Sequence, residues 1–321
     1  MPIPKNNSMS QISPPRPSRS NLMQRLPWIY AFWKFSRPHT IIGTTLSVFG
    51  LYAIAFALNP ASLSLPLLPL LTCLCGNVYI VGLNQLEDVA IDRINKPHLP
   101  LASGEFSRRE AQAIVLTTGL LALGLSAVQG VFLLATVWLS VAIGTAYSLP
   151  PFRLKRFPFW ASVCIFTVRG AIVNLGLFLH FNQQLGGSFG VPAPVWALTL
   201  FVLVFTFAIA IFKDIPDLEG DRLYHITTFT MRLGQKAVFK LALWVITLCY
   251  SGMIVAGTLL PNVSALFLIP THVLALVALW VLSSRVDLRE KQSIAQFYQF
   301  IWKLFFLEYL VFPAACLLHQ G

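Results

Sequence analysis

The feature that most constrains this chain is a repeated one. Nine stretches dominated by apolar residues each approach the length needed to cross a bilayer. They run over about 40–58, 63–83, 110–127, 131–149, 159–181, 193–212, 237–258, 263–283 and 298–317. A helix crossing the hydrocarbon core takes roughly 20 such residues, and only helices or closed barrels satisfy their backbone groups there. Composition agrees: 56% of the 321 residues are hydrophobic and 11% charged, where a soluble domain carries roughly 25% charge. A soluble globule, a disordered chain and a coiled coil are thereby excluded. The expectation is an all-α polytopic membrane protein with nine transmembrane helices. The first 27 residues, with Pro, Ser and Arg and no acid, read as a disordered basic tail, which leaves 28–321 as the membrane domain. The five Cys (Cys73, Cys75, Cys164, Cys249, Cys316) lie in apolar stretches without metal-ligand spacing and read as small core residues. The six His form no cluster and are given no metal role.

The net charge of +11 is distributed by topology. Every Lys and Arg except Arg169 and Lys303 lies before the first stretch or in and beside the 2–3, 4–5, 6–7 and 8–9 connections; those near 59–62, 128–130, 182–192 and 259–262 have none. The excess of basic residues in cytoplasmic loops then puts the N-terminus and the charged loops in the cytoplasm or its organellar equivalent. The C-terminus lies on the other side. Such a charge pattern implies a lipid bilayer as partner, with no nucleic acid.

The acids are not explained this way, because Asp and Glu contribute little to orientation. Of twelve, nine fall in two regions of that same side: Glu87, Asp88, Asp92, Glu105 and Glu110, then Asp214, Asp217, Glu219 and Asp221. The first region continues the second stretch. If the helix runs on, Asn84, Asp88 and Asp92 at i, i+4 and i+8 share one face, and Pro97 and Pro100 end it soon after. In the second, Asp214, Asp217 and Asp221 at i, i+3 and i+7 form another stripe with Glu219 pointing away, and Pro216 kinks the helix. Stacked carboxylates repel unless a cation lies between them. Oxygen-only ligands at one membrane surface suit Mg²⁺, which keeps waters and takes a few carboxylates plus substrate phosphates. The alternative is two solvated loop clusters. Against it stands the recurrence of the pattern four spans later, at the same end of a span, in a chain poor in acids.

These paired motifs resemble those of the UbiA superfamily of intramembrane aromatic prenyltransferases, marked by Asn-x-x-x-Asp-x-x-x-Asp and a second Asp-rich motif in a nine-helix bundle. The likeness covers nearly the whole chain from about residue 30. Three segments, NQLEDVAIDRINKPHLPLASGEFS (84–107), AYSLPPFRLKRFPF (146–159) and FKDIPDLEGDR (212–222), look like the homogentisate-prenylating branch, its phytyl-transferring members ahead of its solanesyl-transferring ones. The superfamily's chlorophyll synthase and hydroxybenzoate enzymes carry Asn-Asp where this chain has Asn84-Gln85. The resemblance implies Mg²⁺-dependent transfer of a phytyl group from phytyl diphosphate to homogentisate, with loss of CO₂ and diphosphate.

It also implies roles. Asn84, Asp88, Asp92, Asp214, Asp217 and Asp221 would hold Mg²⁺, the carboxylates acting catalytically. Lys96, Arg153, Lys213 and Arg222, beside the motifs, would clamp diphosphate; their alternative is topology alone. Tyr147 resembles a family position near the allylic carbon, or else is an interfacial aromatic. Within spans, ionisable groups are costly and point to function. Arg169 and nearby Asn174 would bind substrate, Arg169 meeting the acceptor's carboxylate or ring hydroxyls; alternatively Arg169 bonds carbonyls at a helix break near Gly170. Lys303 and Glu308 read as interhelical or interfacial structural groups. The competing class is a secondary transporter, whose sites lie near the midplane on broken helices; here the acids lie at one surface.

Overall fold

The computed structural model describes residues 27–60, 64–223 and 228–319, and of Glu219 and Asp221 the backbone only. The basic tail therefore lies outside the described residues, except for Pro27, which opens a short helix, Pro27–Phe35. Among the described residues all regular structure is helical. Nine helices among the described residues are long and apolar enough to span a membrane, here labelled α1 (Pro38–Leu58), α2 (Leu67–Glu87), α3 (Arg108–Ala127), α4 (Val131–Ser148), α5 (Pro158–Gln184), α6 (Ala193–Phe212), α7 (Gln235–Leu259), α8 (Ala265–Ser283) and α9 (Lys291–Leu317). Each coincides with one of the nine expected stretches, and the chain is an integral membrane protein.

Consecutive spans pack side by side, and α9 returns against α1, so the bundle closes on itself. The C-terminal half of α5 also crosses α1. α6 is the most enclosed span, with Phe201, Val202, Phe205, Ile209 and Phe212 buried. The outward faces stay apolar: Leu120, Leu200, Leu248, Leu266 and Leu274 are all exposed, as a lipid-facing surface requires. Between apolar helices in lipid, close backbone approach replaces the hydrophobic drive. At Gly170 an added Cβ would lie 2.5 Å from Leu203 Cα, so α5 and α6 touch backbone to backbone there.

Three departures from regular α-helix position the site. First, the helix expected to run through Asn84–Asp92 breaks at Asp88, whose φ of −109° and ψ of 16° end α2 before a separate helix, Val89–Asn95, begins. The chain stays hydrogen-bonded through the break, from Asp88 N to Asn84 O and from Asp92 N to Asp88 O, so the three side chains still reach one space. Second, the stripe expected on the helix after Phe212 does not form as a continuous helix. Residues 213–217 make turns before a helix over Leu218–Leu223. Pro216, lacking an N–H, ends the helical ladder rather than merely kinking it. Third, α5 contains a π-helical turn over Thr167–Ile172, a feature frequent at functional sites.

Two acids of the first cluster are structural. Glu110 caps α3: its carboxylate accepts from Ser107 N at 2.8 Å while Ser107 Oγ accepts from Glu110 N at 3.2 Å. Glu105 pairs with Lys34 on the Pro27–Phe35 helix, tying that helix to the 2–3 connection. In α9, Lys303 is exposed, whereas Glu308 is buried and bonds His272 of α8 at 3.0 Å. The expected interhelical role of Glu308 is thus observed, with a histidine partner the sequence did not single out.

Candidate active site

A cavity of about 900 Å³ enters the bundle from the end where the acidic motifs lie. Asn84, Asp88 and Asp92 line it from the first motif, and Asp214 and Asp217 from the second. The two motif-bearing segments also pack on each other through the helices Val89–Asn95 and Leu218–Leu223. The side chain of Asp221 lies outside the described residues.

Cations meet these carboxylates one by one. Lys155 Nζ donates to Asp88 Oδ1 at 2.7 Å, and Arg153 lies 3.6 Å from the same oxygen. Asn84 Nδ2 donates to the other oxygen of Asp88 at 3.1 Å. Lys96, which follows the first motif, pairs with Asp217 of the second. Lys213 lies 3.9 Å from Asp214 and donates to the Tyr147 hydroxyl at 3.4 Å. Asp92 is buried, and its Oδ2 has no hydrogen-bond partner among the described residues. Burial holds the Asp92 carboxyl above the usual carboxylate range against the pull of Arg37 and Lys96. Burial likewise pushes Asp214 up to about 6; Lys213 opposes it and Asp217 adds to it. Buried carboxyls of this kind gain most from a cation that replaces lost hydration.

The residues fit a hard divalent cation in chemistry: every candidate ligand is an oxygen, and one buried oxygen is orphaned. No three carboxylate, His or Cys groups among the described residues converge tightly enough to coordinate one ion alone. The set suits an ion completed by phosphate oxygens and water.

Behind this lip the cavity has two walls. Between α2, α4 and α5 it is lined by Cys73, Gly76, Ile80, Val137, Val141 and Leu177. Cys73 precedes Asp88 by fifteen residues on α2, so this apolar branch reaches about 20 Å below the lip at 1.5 Å per residue. The other wall, from α1, α5 and α9, presents His39, Tyr298, Trp302 and Arg169.

Of the residues expected at the site, Asn84, Asp88, Asp92, Lys96, Tyr147, Arg169, Lys213, Asp214 and Asp217 line this one cavity. Three expected substrate ligands do not line it. Arg153 reaches Asp88 from beside the cavity. Arg222 is exposed. Asn174 is fully buried, with its amide donating to Gly170 O and its Oδ1 accepting from Tyr309. Sequence reasoning overlooked Lys155, two residues beyond Arg153, which makes the shorter contact with Asp88. It also overlooked Trp302 and Tyr298, whose only sequence signal is helical spacing from Phe305 on a span already rich in aromatics.

An apolar cleft in a nine-helix bundle, with carboxylates and lysines at one lip, describes a class of intramembrane enzymes. Residues 44–304 match the UbiA prenyltransferase family, and the chain belongs to that family. It is 54% identical to homogentisate phytyltransferase of Synechocystis sp. over 295 residues, covering 89% of this chain and 96% of that one. It is 40% identical to homogentisate phytyltransferase 1, chloroplastic, of Arabidopsis thaliana, covering 88% of this chain and 74% of the relative. The fold matches a UbiA homolog from Archaeoglobus fulgidus bound to GPP and Mg²⁺, with a TM-score of 0.63 at 20% identity over 88% of this chain and 99% of the other.

Proposed function

We propose that the protein transfers a phytyl group from phytyl diphosphate to homogentisate, giving 2-methyl-6-phytyl-1,4-benzoquinol, a step of tocopherol biosynthesis in a photosynthetic or plastid membrane. The observation that carries the reading is the meeting of both acidic motifs at the head of one long apolar branch. An allylic diphosphate needs that arrangement: charge stabilisation at one end and hydrocarbon at the other. The branch depth suits a diterpenyl chain better than a solanesyl chain of more than twice that length.

The bond from the allylic carbon to the diphosphate oxygen breaks, and its electron pair leaves with the diphosphate. The allylic carbon bonds to a ring carbon of homogentisate, which gives up its proton. The acetate arm loses CO₂, and a proton replaces it to leave a methyl group. Mg²⁺, held by Asn84, Asp88, Asp92, Asp214, Asp217 and Asp221, would supply Lewis-acid stabilisation of the departing diphosphate. The chain's own groups do the rest. Lys96, Lys155 and Lys213 stand at the lip as ammonium donors to diphosphate oxygens, with Arg153 and Arg222 further out. Tyr147, held by Lys213, offers its ring face to the allylic cation, and the apolar branch excludes water from it.

The test is a donor-by-acceptor matrix with purified protein in nanodiscs, with Mg²⁺ and with EDTA. Phytyl transfer to homogentisate that stops in EDTA and returns with Mg²⁺ is the expected result. Preference for solanesyl diphosphate, or full activity in EDTA, overturns the reading. In the same reading the charged loops face the cytoplasm or stroma. Single cysteines at Ser103 and Ser284 are then labelled from one side and a cysteine at Ser188 from the other.

A further inference from the structure

We infer that Arg169 is the anchor for the carboxylate of the aromatic acceptor, and that Asn174 and Tyr309 are positioning residues that aim it. The inference rests on the proposed use of homogentisate and assigns which residues hold it.

The lip cations Lys96, Lys155 and Lys213 each have a carboxylate within 4 Å. Of the described residues in α1 to α6, Arg169 is the one Lys or Arg beyond a helix's first turn, and its guanidinium has no hydrogen bond or ion pair among the described residues. A cation held at that depth without a counter-ion is costly, and a ligand that brings a negative charge recovers the cost. The guanidinium is also shaped for one. Its central carbon lies over the rings of Trp302 and Phe305, 5.5 Å from each centroid. Ring faces hold the guanidinium plane and leave its N–H edge free for a two-pronged bond to carboxylate. A Cβ added at Gly43 would lie 2.9 Å from an Arg169 nitrogen, so the bare backbone of α1 makes room for the head group. Gly43 is five residues into α1, about 8 Å below its start at 1.5 Å per residue. The anchor therefore lies below the diphosphate lip and across from the apolar branch. An arylacetate held there by its carboxylate has its ring between anchor and lip, beside Trp302.

The aim comes from the π-turn. Widening the helix over Thr167–Ile172 upsets the usual carbonyl pairing there, and Asn174 takes up the slack. Its amide donates to Gly170 O at 2.7 Å, while its Oδ1 accepts from Tyr309 Oη at 2.7 Å. Tyr309 stacks edge-on against Phe305, one of the two rings over Arg169. The π-turn, its side-chain brace and the aromatic wall are thus one connected unit. Asn174 touches no substrate and acts through Arg169.

Two readouts test this. In the first, KM values are measured for homogentisate, for methylhydroquinone, which lacks the carboxylate, and for phytyl diphosphate. Arg169→Gln should raise the homogentisate KM at least about tenfold, the scale of a lost charged hydrogen bond, and leave the other two within about twofold; Arg169→Lys should fall between. Tyr309→Phe should raise the homogentisate KM about threefold and add nothing on top of Arg169→Gln. In the second, equilibrium dialysis with labelled homogentisate, Mg²⁺ and inorganic diphosphate compares wild type with Arg169→Lys, which keeps the charge should Arg169→Gln fold poorly. Weaker binding by the variant supports the anchor. Equal KM changes for both acceptors, or unchanged homogentisate binding, overturn it. Wild type that binds homogentisate but does not prenylate it defeats the proposed reaction and leaves the anchor standing.

Discussion

The lip and the inner wall of the cavity handle charge in opposite ways. At the lip, carboxylates and lysines interleave: Lys155 on Asp88, Lys96 on Asp217, Lys213 beside Asp214. On the wall the Arg169 guanidinium stands against aromatic rings, with no ion pair among the described residues. A lip that carries its own counter-ions can exchange them, giving up lysines to phosphate oxygens as a cation takes the carboxylates. A wall with none must wait for its anion. The difference teaches that two anionic substrates can share one cavity without competing. Diphosphate is drawn to a place rich in both signs, a monocarboxylate to a place with one.

The largest effects should come from the lip. Asp92→Ala or Asp214→Ala should lower turnover by at least about 100-fold, the scale of losing an electrostatic catalytic group, with the homogentisate KM little changed. A comparable rise in that KM would mean that lip and wall are not separate. Next is Lys155→Met. Freeing Asp88 should tighten Mn²⁺ binding to the donor-free protein by about tenfold, read by electron paramagnetic resonance, and raise the phytyl diphosphate KM, since a hydrogen bond to a charged group is worth roughly 1.5–3 kcal/mol. If both move the same way, Lys155 is not an exchangeable counter-ion. The smallest effect marks the border of the comparison. Glu110→Ala removes a helix cap from an acid of the same sequence cluster that never reaches the cavity. Loss of the capping box should lower the midpoint of thermal unfolding slightly and leave the KM values unchanged.

The sequence carried most of this fold because a bilayer is a strict solvent. A span such as Ala193–Phe212 has no other home, and the side preference of Lys and Arg adds the path between spans. The acidic motifs were legible for a related reason: carboxylates are scarce in this chain, so their grouping stands out. What stayed hidden depends on the third dimension. The break at Asp88 and the turns over 213–217 change backbone direction while keeping the oxygen ligands together, and residue spacing alone favours the straighter helix. Arg153 and Lys155 are equivalent as loop cations until the loop's path brings Lys155 onto Asp88. Asn174 looked like a ligand because it is a polar group near Arg169 within a span. Its actual partner, Tyr309, is 135 residues away in the chain, beyond the reach of any local pattern.

The return of α9 against α1 has a consequence for how the enzyme is made. Trp302 and Phe305, the rings over Arg169, arrive with the last span, long after α5 has left the ribosome. Until then the arginine of α5 sits in a half-built bundle without its aromatic cover, and the cavity lacks one side. The arrival of α9 is therefore the step that both covers this arginine and completes the chamber. Without α9 the α5 arginine would lack its aromatic cover and the cavity would stand open on one side.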